Sequence, residues 1–228
     1  MKKCIIYILL PFLSYAKLSA QKISIENKKQ LIKKEDSLKS LSIKIIQGRN
    51  IADRFNADSL FTKILVRALK ANNSFYYPFD SLQTISKLYP ADSSFRIFTW
   101  QMMINENIVR QHGAIQMKTF DGSLKLFPLI DKSDITIKPE DTVGNNKGWI
   151  GAIYYKIIQK KNGNQDYYTL LGYDENNIRS NKKIIEVLTF SNDEPVLAED
   201  TLVLKKTVYL NHQKTGLLLN IKKLQVHG

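Results

Sequence analysis

Histidines, cysteines and facing carboxylates are the side chains with which a protein most often does chemistry, and here none stands at a working spacing. The chain of 228 residues has three histidines and one cysteine. His112, His212 and His227 are too far apart to share a helix face, and no His-Glu-x-x-His run is present. A zinc site would need carboxylates from distant segments, so each histidine reads as a structural or surface residue. Acidic pairs fall at Asp131/Asp134, Glu140/Asp141, Asp174/Glu175 and Asp193/Glu194, all in polar, turn-rich sequence. A glycoside hydrolase needs two carboxyl groups held face to face, and solvated turns do not hold them. Asp174-Glu175-Asn176-Asn177 could bind calcium weakly but lacks the glycine and closing glutamate of an EF-hand loop. Ser180-Asn181-Lys182-Lys183 matches S-x-x-K by letters, yet it leads into a strand rather than opening a helix. There is no nucleophile elbow, phosphate loop or dinucleotide fingerprint. No cofactor and no metal are expected, and whether the chain is an enzyme stays open.

What remains is aromatic. Tyr154, Tyr167 and Tyr173 fall on one mixed face with Lys156 and Thr169, and these tyrosines with Lys156 are the candidate ligand-binding residues. Tyrosine joins apolar area to a polar tip and is common at binding surfaces. It is equally at home in a sheet, where helices could simply cover it. The elements that must position these residues lie between Trp149 and Phe190. Residues 149–159 alternate, with Trp149, Gly151, Ile153, Tyr155 and Ile157 on one side and Ile150, Ala152, Tyr154, Lys156 and Ile158 on the other, the pattern of a half-buried strand. Asn162-Gly163 predicts a two-residue hairpin loop. That loop would set Ile157 opposite Tyr168, Tyr155 opposite Leu170 and Ile153 opposite Gly172; a longer loop through Gln165 would change the register. A third strand spans 182–190, with Ile184, Leu188 and Phe190 on one face and Glu186 between them.

The runs Tyr167-Tyr168-Thr169-Leu170-Leu171-Gly172-Tyr173-Asp174 and Lys183-Ile184-Ile185-Glu186-Val187-Leu188-Thr189-Phe190 resemble a family of uncharacterised secreted proteins from Bacteroidota-type bacteria. Pro78-Phe79-Asp80-Ser81-Leu82 and Phe95-Arg96-Ile97-Phe98-Thr99-Trp100-Gln101 are similar to the same pattern, so the resemblance covers residues 51–197. These are structural words rather than catalytic ones, and the resemblance implies secretion but no activity, substrate or site residue. Beyond Pro195 the chain departs from the pattern, and Lys205-Lys206-Thr207-Val208-Tyr209 meets its basic-aromatic close only loosely.

Met1-Lys2-Lys3, an apolar run from Cys4 to Leu13 and small residues up to Ala20 form a signal-peptide pattern. The run is too short to span a bilayer. Cleavage after Ala20 is expected, with Ala16 as the competing position and an uncleaved anchor as the competing reading. Loss of residues 1–20 removes the only cysteine, and with it any disulfide or thiol chemistry. It also takes three lysines and no acid, leaving 31 basic against 21 acidic residues, a net charge of +10. Residues 21–72 alone hold twelve basic and five acidic side chains. Such a surface could lean on an anionic lipid headgroup, a glycan or an envelope protein, or be merely solvated. Nucleic acid is not an expected partner: export separates the two, and no nucleic-acid motif is present.

Residues 22–47 carry Leu31, Leu38, Leu41 and Ile45 on one helix face, ended by Gly48. Phe61, Ile64, Leu65, Ala68 and Leu69 predict a second helix. Asp80 with Gln83 has capping-box spacing, and Leu82, Ile85 and Leu88 predict a short third helix. Residues 95–104 are apolar on both faces, as in a central strand covered twice. Asp121-Gly122 predicts a hairpin between 114–120 and 124–129; 131–148 reads as an irregular loop, and 202–210 and 217–226 as two more strands. Helices followed by hairpins give an α+β class, with N-terminal helices packed on an antiparallel β-sheet of meandering hairpins. The expected organisation is a signal peptide over 1–20, a helical region over 21–92 and a β region over 93–228 packed with it as one domain. The expected function is a non-enzymatic binding or interaction module of the periplasm, the outer-membrane surface or the extracellular space, with no transmembrane segment after cleavage. The alternative is a hydrolase with a dispersed carboxylate or histidine site.

Overall fold

The computed structural model describes residues 22–105, 107–135, 144–177, 180–197 and 202–207. Helix α1 (Ile25–Gln47) opens where the Ser24 hydroxyl accepts the Asn27 N–H, and the N–H of Gly48 closes it on the Lys44 carbonyl. Helix α2 (Ile51–Leu69) is capped by Asn50, whose side chain accepts the Asp53 N–H. The two form a hairpin, and Leu31, Leu38 and Ile45 meet Phe61, Leu65 and Leu69 in a shared core.

The short third helix is corrected. A turn follows Phe79, which sits at φ +56, and the chain then enters strand β1 (Ser86–Leu88). Asp80 does not cap; the Ser81 N–H goes instead to the Glu35 carboxylate of α1. Leu82 and Ile85 are buried as their spacing required, but from turns, because three apolar positions cannot separate a single helical turn from a folded-back loop.

Strand β1 pairs with β2 (Phe95–Asn105), which pairs with β3 (Ile108–Met117), which pairs with β4 (Lys125–Ile130), all antiparallel. β2 is the two-faced strand the sequence predicts. Phe98, Trp100 and Met102 pack under the helices, whereas Phe95 and Ile97 point the other way.

That other side is covered by a second sheet, so the β region forms two sheets rather than one. The order is β5 (Gly144–Asn145), β9 (Glu194–Leu197), β8 (Ser180–Ser191), β7 (Gln165–Asn177) and β6 (Ile153–Asn162), with β10 (Leu202–Thr207) also on β8. The molecule is thus layered as helices, first sheet, second sheet, an α+β architecture. Tyr154, Tyr168, Leu170, Ile184 and Leu188 of the second sheet, with Trp149 ahead of β6, meet Phe95, Ile97 and Ile115 of the first. Residues 217–226, read as a strand, lie outside the described residues.

Candidate functional site

Two details of the β6–β7 hairpin decide which tyrosines reach solvent. The loop is Gly163-Asn164 rather than Asn162-Gly163, for Asn162 pairs with Gln165. Gly163 supplies the positive φ, +58, that the first loop position of such a turn needs. From Lys156 to Asn162 partners slide by two residues, so Ile157 faces Leu170 rather than Tyr168, and each of these side chains keeps its side. The second detail is a bulge between Tyr154 and Lys156. One extra residue reverses the alternation, which no pattern of period two can foresee.

Before the bulge Tyr154 points inward and is only 1% exposed. Its hydroxyl donates to the Glu186 carboxylate and accepts from Trp149 Nε1 at 2.7 Å. Its N–H reaches Thr99 Oγ1 at 3.2 Å, tying the two sheets. Gly172 lies opposite, where a Cβ would stand 2.9 Å from the tyrosine ring. Burial, then the Glu186 charge, raises the Tyr154 pKa. Burial pushes Glu186 up to about 7. Tyr154, one of the sequence-derived candidates, is therefore enclosed between the sheets.

Tyr155, in the bulge, turns outward and is 52% exposed. Its ring centroid lies 6.5 Å from that of Tyr173. The Lys183 ammonium stands 5.5 Å from the first ring and 5.3 Å from the second, a shared cation–π contact. Burial, then the nearby Glu175 charge, raises the Tyr173 pKa. Pairing aligns the next residues in rows across the sheet: Lys156–Leu171–Ile185, then Ile158–Thr169–Val187, with Lys160 opposite Tyr167 beyond. Lys156, Lys160 and Lys183 are exposed, while Tyr167, Leu171, Tyr173, Ile185 and Val187 are half-buried. Lys156, Tyr167 and Tyr173 thus share the outer face as the sequence predicts. Tyr155 and Lys183 are the additions, one hidden by the bulge and the other carried on a strand whose partner residue only the register identifies.

The helices do not cover this face. Both contact β2 of the first sheet, on the opposite side of the molecule.

His112 stacks on Trp100 with centroids 5.7 Å apart, and its Nε2 lies 3.7 Å from Asp58 Oδ2. Asp58 Oδ1 is engaged by Trp100 Nε1 at 2.7 Å. Desolvation lowers the His112 pKa, against the pull of Asp58 and Asp131. Asp131 accepts the N–H groups of Gln111 and Ser133, Asp134 pairs with Arg110, and Asp174 binds Gln111 and Lys182. Glu175 and Glu194 are exposed, and Asp193 meets Lys125. Ser180-Asn181-Lys182-Lys183 lies within β8. His212, His227, Glu140 and Asp141 lie outside the described residues. Among those described, no three metal-ligating side chains converge, and no helix is long and apolar enough to cross a membrane. A groove of about 620 Å³ along the helix hairpin has Lys44, Arg49 and the single carboxylate of Asp53 in its wall, without a histidine. No protein-family model, no curated protein and no solved structure matches the chain.

Proposed function

We propose that this is an exported protein, cleared of residues 1–20, that works in the periplasm, on the outer-membrane surface or outside the cell as a non-enzymatic binding module. The observation that carries the reading is the outer face of the second sheet, where Tyr155, Tyr173 and Lys183 form a row beside half-buried aliphatics. Among the described residues no helix covers this face, and tyrosine and lysine beside half-buried aliphatics are the composition of a contact surface. The glycan, the anionic headgroup and the envelope protein expected as partners would all meet the molecule here. The basic helices lie on the other side, so the salt sensitivity of binding would come from Lys156, Lys160 and Lys183.

The rival hydrolase has its best observation in His112 beside Asp58. That imidazole is stacked on Trp100, its Nε2 is enclosed without a hydrogen-bond partner among the described residues, and neither residue is in the wall of the hairpin groove. A base needs reach to a substrate proton, so the pair supports packing better than catalysis.

The test is the double change Tyr155→Ala with Tyr173→Ala. The expected result is loss of association with the envelope fraction while the circular dichroism spectrum and unfolding midpoint stay near those of the parent. Unchanged association would remove this face from consideration. Export is tested by the intact mass of the protein from the same fraction, which should lack residues 1–20; a species that keeps them would refute export with cleavage.

A further inference from the structure

Resting on the binding face just proposed, the geometry points to one class of occupant: we infer that an acidic segment of another protein, with an apolar stripe, lies across the strands of the second sheet. The centre of the face is aliphatic, made by Ile158, Leu171, Ile185 and Val187, and Thr169 is the one hydroxyl among them. A sugar laid there would bury hydroxyls against groups that cannot hydrogen-bond, a loss that stacking on Tyr155 would not offset. A protein stripe of valine or leucine side chains has no such penalty.

Charge selects further. Lys156, Lys160 and Lys183 rise around the aliphatic centre, and Glu175 is the acid beside Tyr173. Among the described residues none of the three lysines has an ion-pair partner, so an incoming carboxylate would find them unneutralised. The chain's own end is a poor occupant, because residues 208–228 contain three lysines and no acid. A second copy presents the same lysines to itself. A lipid surface fits less well too. Insertion into a bilayer needs apolar side chains that stand proud of the cations, whereas these aliphatics are half-buried beneath exposed lysines and Tyr155.

Methyl NMR of the full chain reads the site directly, through Ile158, Leu171, Ile185 and Val187. Four probes are added in turn: a short peptide alternating glutamate and leucine, its lysine–leucine counterpart, alginate fragments, and phosphatidylglycerol vesicles. The expected result is movement of these methyls with the glutamate peptide alone, at an affinity that falls about tenfold in the triple variant Lys156→Glu, Lys160→Glu, Lys183→Glu and weakens with salt. The same variant should take up the lysine peptide. Since surface charges are changed, its unfolding midpoint serves as the folding control; if it fails to fold, the single change Lys183→Glu replaces it, with about threefold weaker binding expected. Equal binding by the charge-reversed protein, or response of the methyls to alginate or vesicles but not to the peptide, would overturn the inference while leaving the binding face intact. Silence of these methyls toward every probe, together with unchanged envelope association of the Tyr155/Tyr173 variant, would overturn both.

Discussion

The two cores of this molecule treat buried charge in opposite ways. Between the helices and the first sheet, Arg96 is fully enclosed. Its guanidinium donates to the carbonyls of Tyr77 and Ser74, to the Tyr89 hydroxyl and to Gln116 Oε1 at 2.6–2.9 Å, and it lies 4.6 Å from the Phe98 ring. Desolvation lowers its pKa to about 10, yet it remains charged at neutral pH. Glu35 accepts from the Tyr77 hydroxyl and the Ser81 N–H in the same layer. Between the two sheets, Glu186 sits among Ile184, Leu188 and Leu170 with the Tyr154 phenol as its hydrogen-bond donor. The first core satisfies an ion; the second disfavours one. A buried ionisable group is therefore either a fixed structural part or a source of pH dependence, depending on how many donors or acceptors meet it.

Trp100 fills the first core and holds Asp58. Trp100→Ala should cost about 4 kcal/mol in urea unfolding; a loss under about 1 kcal/mol would mean the helices are not seated on β2. Arg96→Met keeps volume but strands two carbonyls and Gln116, and should cost about 3–4 kcal/mol at every pH from 5 to 8. Glu186 should behave differently. Its native pKa of about 7 lies above the ordinary 4.5, so the folded state holds the proton longer than the unfolded chain. Its contribution is fully present below about pH 4.5, fades as pH rises to about 7, and then stays lost, some 3 kcal/mol in all. Glu186→Gln should flatten that slope and be more stable than the parent at pH 8; an unchanged slope would place the titration elsewhere. Smallest is Ile153→Ala, about 2 kcal/mol, because Ile153 is buried but lies outside both main clusters. A melting point unmoved by that change would reject the strand start at Ile153.

Much of this was legible in the chain. The stripes at Leu31, Leu38 and Ile45 and at Phe61, Leu65 and Leu69 are long enough to fix a helical period, and the two-sided apolarity of 95–104 placed that strand between layers. The failures share a cause: each depends on one residue more or less. Asn162-Gly163 and Gly163-Asn164 are both acceptable loops, and only the full ladder chooses between them. The bulge at Tyr155 leaves no mark in composition, yet it sends Tyr154 into the core and Tyr155 out. Lys156, Tyr167 and Tyr173 do share one face, as period two predicts, because they lie beyond the bulge or on the strand opposite. The place of Lys183 beside Tyr173 is not legible because it is a matter of pairing between strands.

The far edge of β8 is divided between two short strands: β10 ends its pairing at Ile185, and β9 begins at Leu188. Glu186 stands at that seam. A proton reaching its carboxylate need not wait for the sandwich to unfold, since fraying of the six-residue β10 from Ile184 and Ile185 opens the ladder next to it. The clock for Glu186 would then be the breathing of one short edge pairing, and its exchange would be faster than global opening.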